Sequence, residues 1–214
     1  MAASECNVIT GSAMRNGTMT AGTTRLLTRN PWVARRPITV AEYHRMGEVG
    51  ILTKDDRVEL IEGELIAISP IGSLHAGTSN TLTRRLVLAV GDRGVVAVGN
   101  PVQLGDLSEP QPDFTALKPR DDDYRRATPR PDEVLLLIEV ADSSLAYDRN
   151  VKRALYAWHG IAEFWIVNLN AGEVEVCRGP EGEQYTSIAQ VGREGTLEPQ
   201  LLPGVAIPVA ALLG

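Results

Sequence analysis

The chain has 214 residues, 43% of them apolar, with a formal net charge of −6 at pH 7 and a mean hydropathy of −0.07. That length can bury a sizeable core in one domain, and the apolar share suits an ordinary soluble globule. No stretch nears the roughly 18 consecutive apolar residues of a membrane span, and Cys6 and Cys177 with the scattered His44, His75 and His159 leave no disulfide framework, zinc knuckle or helical histidine pair, so a reducing, cytoplasmic setting is expected.

Residues 1–36 are rich in Thr, Ser, Gly and Asn, and Arg15, Arg25, Arg29, Arg35 and Arg36 face a single acid, Glu5. This composition predicts a disordered basic tail. It lacks the apolar run of a secretory signal, and an over-long start, with Met14 or Met19 as the true first residue, is the plainer account of its transit-peptide-like character. With +4 in the tail and −6 overall, residues 37–214 carry −10. A nucleic-acid binder with that charge must concentrate its cations locally. Arg84, Arg85, Arg120, Arg125, Arg126, Arg149, Lys152 and Arg153 are the candidates, against the alternative that they are solvated surface charges.

In chain order, Thr39 caps a short helix, with Glu42 at the capping-box position. Residues 57–69, RVELIEGELIAIS, form two Val-, Leu- and Ile-rich runs joined at Glu62-Gly63, a β-hairpin whose first strand sets Glu59 on the same side as Ile61. Ser73 caps a helix running to about Val90, because His75, Ser79, Leu82, Leu86 and Ala89 recur at helical spacing and Gly91 supplies the stop. Strands follow at 95–104, 113–117 and 134–141, separated by Pro, Gly and Asp clusters. A second long helix spans 145–159, with Tyr147, Val151, Ala154, Leu155 and Trp158 on its apolar face and Gly160 beyond it. Strand-like runs at 163–169, 172–178 and 184–189 precede a Pro- and Leu-rich end. No internal repeat appears after the tail. The order predicts an α/β or α+β sheet flanked by helices.

The segment LLLIEV at 135–140 carries the most chemistry. A continuous apolar run bounded by turns is the pattern of a strand buried on both faces, and Glu139 lies inside its carboxyl end. A buried carboxylate must be paired, protonated or metal-bound; alternatively Glu139 sits at a strand tip and reaches solvent or an arginine. Gln111-Pro112-Asp113 precedes another short strand, where Asp113 is a turn residue or, together with Glu139, part of the hard-oxygen site that Mg²⁺ prefers. Arg149, Lys152 and Arg153 occupy the first two turns of the second long helix, where the macrodipole disfavours cations. Such departures mark function. Lys152 either points toward the carboxylates, where it would position water or steady charge on a phosphate, or makes an i, i+4 surface pair with Asp148.

The run IEVADSSLAYDRNVKRALYAWHGIAEFWIVNL, preceded by QPD and by the hairpin ELIEGEL followed by SP and a His, resembles the Uma-type endonucleases, formerly a domain of unknown function within the PD-(D/E)xK nuclease superfamily. The resemblance covers residues 37–214 and implies a restriction-endonuclease-like nuclease domain there. Its fold would be a mixed central sheet flanked by helices, with an N-terminal β-hairpin and a C-terminal antiparallel extension. Asp113 matches the family's QPD aspartate, Glu139 its second acid, Lys152 the lysine of its YDRxxK segment, and Glu59 the acid of its hairpin, with Glu62 where Asp is usual. The superfamily's strand lysine, two residues after the second acid, is absent: that position is Ala141. His75 corresponds to a histidine often found after SP, a site neighbour or simply a helix-start residue; Gln111 and Asp148 are further candidates beside the site.

The resemblance implies metal-assisted phosphodiester hydrolysis, with Asp113, Glu139 and the Val140 carbonyl holding Mg²⁺ or Mn²⁺, and Lys152 orienting water. Glu59 would be an additional or water-mediated ligand, or would keep Lys152 protonated. DNA is the expected partner, and a two-fold homodimer through the apolar edge around 172–189 is an analogy with double-strand-cutting nucleases. A non-catalytic binding or assembly module linked to a mobile element or defence system is the alternative, supported by the −10 charge. A nuclease acting on RNA or branched DNA is the third reading; the sequence shows no basic patch interleaved with aromatics.

Overall fold

In the computed structural model, which describes residues 35–213, the first element is α1 (Val40–Glu48). It starts at the capping box: the Glu42 N–H donates to Thr39 Oγ1 at 3.2 Å, and the Thr39 N–H donates to Glu42 Oε2 at 3.0 Å. The tail expected at 1–36 lies outside the described residues except for Arg35 and Arg36.

β1 (Val58–Ile61) and β2 (Glu64–Ala67) pair as an antiparallel hairpin in register Ile61↔Glu64. Glu62 and Gly63 have φ of 49° and 78°, as a two-residue turn of the hand that suits a twisted hairpin requires. A side chain at Gly63 would meet Pro37 Cβ at 2.3 Å, so glycine is needed there for space as well as for φ. α2 (Ser73–Val90) follows, stopped at Gly91 as expected. Its N-cap is Gly72, without a side-chain hydrogen bond; Ser73 is the first helical residue and does not cap.

The main sheet has six strands: β3 (Val95–Val98), β4 (Phe114–Leu117), β5 (Val134–Ala141), β6 (Glu163–Asn168), β7 (Glu173–Glu181) and β8 (Gln184–Gly192), in that spatial order. All neighbours are antiparallel except β5 and β6, so the sheet is mixed. A parallel pair needs a crossover, supplied by three contiguous helical pieces: α3 (Leu145–Tyr147), a π turn (Asp148–Lys152) and α4 (Arg153–Trp158). β3 is shorter than the run at 95–104 suggests, because Gly99 turns the chain at φ 62° and Leu104 pairs only as an isolated bridge with Ser108.

Each face of the sheet has its own core. Phe114, Leu136, Ile138, Val140 and Trp165 point toward α2 and the C-terminal α5 (Val209–Leu213), meeting Leu82, Leu86, Val209 and Leu212. Leu137, Ala141, Phe164, Ile166 and Cys177 point to the other side, against Leu155, Tyr156 and Ala157 of α4. Every residue of β5 is buried, which explains its unbroken apolar run, since a strand covered on both faces has no solvent side to alternate with. β7 and β8 form the C-terminal antiparallel extension, and the short β9 (Thr196–Leu197) and β10 (Ile207–Pro208) pair beyond it. Among the described residues no helix is long and apolar enough to cross a membrane.

Candidate active site

Four carboxylates and a lysine meet near the carboxyl end of β5. Asp113 stands one residue before β4, and the register Phe114↔Ile138 sets it opposite Glu139. Residues paired this way project to one face of a sheet. The two acids interlock through the backbone: the Asp113 N–H donates to Glu139 Oε2 at 3.2 Å and the Val140 N–H to Asp113 Oδ2 at 2.7 Å. His75, one turn into α2, sets Nε2 3.1 Å from Asp113 Oδ2, with Ser79 Oγ 3.3 Å from its other ring nitrogen.

Lys152 arrives from the π turn and is buried; its Nζ donates to Glu59 Oε2 at 2.6 Å and lies 3.4 Å from Glu139 Oε1. Glu59 also accepts from the Tyr147 hydroxyl at 3.0 Å and from the Gln111 N–H at 3.1 Å. Glu139 accepts from the buried Tyr156 hydroxyl at 2.7 Å. Asp148 is buried and accepts from the Ser144 hydroxyl at 2.7 Å. The ion-pair partners of Lys152 are therefore Glu59 and Glu139 rather than Asp148, the i, i+4 partner.

Burial is the main cause of the electrostatic state of this group. It raises the Glu139 carboxyl to about 8, with Asp113 and Asp148 adding to the rise, against Lys152 and the Tyr156 hydrogen bond. Burial likewise pushes Asp148 up to about 6, against Ser144 and Lys152. For Lys152 burial works downward, but Glu139 and Glu59 outweigh it, and the ammonium is held above its usual range. The hydrogen bond to Asp113 raises His75, with burial opposing.

Four acids face one lysine, and the raised Glu139 and Asp148 show how poorly that crowd of carboxyl groups tolerates further negative charge without another cation. Asp113 is partly exposed, and among the described residues its Oδ1 has no hydrogen-bond partner. Two carboxylates with a free hard oxygen fit an ion of the Mg²⁺ type, which keeps several waters and takes substrate phosphate as further ligands. Among the described residues no three or more His, Cys, Asp or Glu side chains form a metal-holding cluster. Waters, phosphate or the Val140 carbonyl would have to complete the shell.

The crossover contains a π turn next to the candidate site. The Arg153 N–H bonds to the Asp148 carbonyl, five residues back, so one residue more than usual is wound into the turn. Asp148, Lys152, Leu155, Tyr156 and Ala157 are buried, while Val151 and Trp158 are 36% and 65% exposed. The buried face is thus offset by one position from the expected face of Tyr147, Val151, Ala154, Leu155 and Trp158, because Asp148 and Lys152 turn inward to partners that hold them there. Arg149 and Arg153, the other cations of the crossover, turn instead to the buried Glu175 of β7: Arg149 Nε donates to Glu175 Oε1 at 2.7 Å, and Arg153 Nη1 lies 3.8 Å from Oε2. They are explained by that acid.

A model of the Uma2 family, described as putative restriction endonuclease, matches residues 40–210. The chain belongs to this family. The fold also resembles the crystal structure of a putative nuclease belonging to DUF820 from Anabaena variabilis ATCC 29413, at 16% identity and a TM-score of 0.64, covering 83% of this chain and 98% of that one. No curated protein matches the chain. Within this Uma2 member the sequence reading missed two residues, Tyr147 and Tyr156. A signal was present: Asp148, Lys152, Leu155 and Tyr156 also lie at i, i+4, i+7 and i+8, but a stripe containing an acid and a lysine looks solvent-facing until its partners on β1 and β5 are known.

Proposed function

We propose that this Uma2-family chain is a divalent-metal-dependent endonuclease hydrolysing DNA phosphodiester bonds, with residues 37–214 as its nuclease domain. Asp113 and Glu139, with the Val140 carbonyl, would hold Mg²⁺ or Mn²⁺, and Lys152 would stand over the reacting phosphate. The reading is carried by one observation: Asp113, Glu139 and Lys152, remote in sequence, converge so that the lysine amine lies 3.4 Å from the carboxylate of Glu139.

Bound there, the ion supplies a water of lowered pKa and positive charge beside the phosphate. The chain's own groups do the positioning. The Tyr156 hydroxyl and Asp113 N–H orient the two oxygens of Glu139, and the Val140 N–H orients Asp113. Glu59, steadied by Tyr147 and the Gln111 backbone, holds the Lys152 ammonium where it can orient the attacking water or offset charge on the phosphate. The test is incubation of purified protein with DNA in Mg²⁺, Mn²⁺ or EDTA. Cleavage should need the metal and disappear in Asp113→Ala and in Glu139→Ala; full activity in both variants, with contaminating nuclease excluded, overturns the proposal.

The charge of −10 on residues 37–214 favours a second reading, a nuclease-fold binding or assembly module without catalysis. Calorimetric titration separates the two, since failure to bind Mg²⁺ or Mn²⁺ at millimolar concentration would favour the module.

A further inference from the structure

Away from the acids, a groove of about 370 Å³ runs along the edge strand β3, between Val95, Ala97 and Leu117 on one side and the loop bearing Tyr124, Arg125 and Arg126 on the other. Val95 and Ala97 pair with Leu117 and Thr115, so they lie on the same sheet face as Asp113. The groove ends at Asn100 and Pro101, and the preceding residue ties that end to the candidate site: the Gly99 N–H donates to the Asp113 carbonyl at 2.9 Å.

The loop is strained and firmly held. Asp123 and Tyr124 are consecutive non-glycine residues at φ 46° and 61°, a conformation that costs about 1 kcal/mol or more for each such residue and survives only where its surroundings impose it. Arg120 imposes it. Its guanidinium donates to Asp122 Oδ1 at 2.6 Å, Glu133 Oε1 at 3.1 Å and the Ala127 carbonyl at 3.1 Å, and it stacks 3.8 Å from the centre of the Tyr124 ring. Held this way, the loop presents Arg125 and Arg126 to solvent. Arg126 has no ion-pair partner among the described residues, and Arg125 has only an exposed contact of 3.5 Å with Asp123. Arg149 and Arg153, by contrast, are committed to Glu175. Tyr124 thus lies between Arg120, stacked on its ring, and its chain neighbours Arg125 and Arg126.

We propose that this groove seats a single-stranded stretch of the nucleic-acid substrate flanking the cleavage point, with an unpaired base on its apolar floor and the adjoining phosphates on Arg125 and Arg126. Two exposed arginines, one of them beside Asp123, at the border of an apolar floor with Tyr124 suit a polyanionic strand whose bases are free to stack, and a base still stacked in a duplex has no free face to lay on that floor. This rests on the proposed nuclease reading for its biological meaning but not for its test.

The test is fluorescence anisotropy with a labelled single-stranded DNA oligonucleotide and full-length protein in EDTA, across a range of salt. Wild-type protein should bind with salt-dependent affinity. Arg125→Ala/Arg126→Ala should bind on the order of tenfold more weakly and lose about 1.4 from the log–log salt slope, at about 0.7 per phosphate contact on a single strand; Arg125→Lys/Arg126→Lys should keep most of both. Thermal unfolding should be unchanged, because both arginines are exposed. No binding by wild-type protein, or equal binding and slope in the alanine variant, overturns the groove even if Mg²⁺-dependent cleavage is intact. Binding that the alanine variant loses, in a protein that cleaves nothing, upholds the groove and overturns the nuclease reading instead. Self-association through β3 that hides the groove, detected by sedimentation, would also overturn it.

Discussion

Lys152 Nζ lies 2.6 Å from Glu59 and 3.4 Å from Glu139, so the lysine is anchored by the N-terminal hairpin rather than by the strand whose acid it faces. Removing one partner of a buried pair strands the other as an uncompensated charge, at a cost of about 3–5 kcal/mol. Lys152→Met should therefore lose about that much stability in urea unfolding, and Lys152→Met/Glu59→Gln should recover most of it. Neither should cleave DNA. Wild-type cleavage by the stable double variant would remove the lysine from the chemistry.

On the proposed reading, the raised carboxyl of Glu139 would make divalent-metal binding pH-dependent. With its folded value near 8 and its ordinary value at 4.5, the metal-free folded protein holds a proton there that the unfolded chain has released. Its contribution to stability is complete below about 4.5 and is lost as pH rises through about 8. A divalent ion must displace that proton, so the apparent Mg²⁺ affinity should climb with pH up to about 8 and then level. Calorimetry in two buffers of different ionisation enthalpy should detect the released proton. A flat profile between pH 6 and 8, about where the titration falls, would contradict the assignment of Glu139 as a ligand.

Tyr156 touches no solvent and gives its hydroxyl to Glu139 at 2.7 Å. Tyr156→Phe keeps the ring, which packs edge-on against Phe164, and deletes only the hydrogen bond. Loss of a group that orients a metal ligand typically weakens metal binding about 10- to 100-fold. The variant should bind Mg²⁺ more weakly by about that factor, with a stability loss of about 1–3 kcal/mol. Unchanged metal affinity would make Tyr156 a packing residue alone.

Arg149 and Arg153 cover Glu175, which is 3% exposed. Arg149→Ala/Arg153→Ala should destabilise the fold by about 3 kcal/mol, the low end of the cost of breaking a buried pair because both arginines are partly exposed. Adding Glu175→Gln should restore much of this. DNA affinity of the folded variant should match wild type, measured by anisotropy; a fall in the salt slope would instead assign these arginines to the nucleic-acid surface.

The local elements were legible because their causes are local. Thr39 with Glu42 starts α1, Glu62-Gly63 turns the hairpin, Gly91 stops α2, and the unbroken apolar run at 134–138 marks a strand covered on both sides. Glu139 and Glu59 could be singled out as carboxylates in apolar strands and Lys152 as a cation at a helix start, which oppose ordinary preferences, whereas Asp113, by itself a turn residue, stood out only together with Glu139 and the family's QPD. The apolar face assigned to the crossover helix was wrong for a physical reason: hydropathy turns charged residues outward, whereas Asp148 and Lys152 are buried among partners on other elements.

By itself the sequence determined where most strands and helices lie, which strand is covered on both faces, and which polar residues sit at odds with their surroundings, since each of these follows from neighbours a few positions away. Only the tertiary structure decided that Arg149 and Arg153 serve Glu175, that Lys152 is held by Glu59, and that Tyr124 meets Arg120 beside the edge strand. Those pairings depend on strand register and on how the crossover packs against the sheet, and both are set by contacts between elements far apart in the chain.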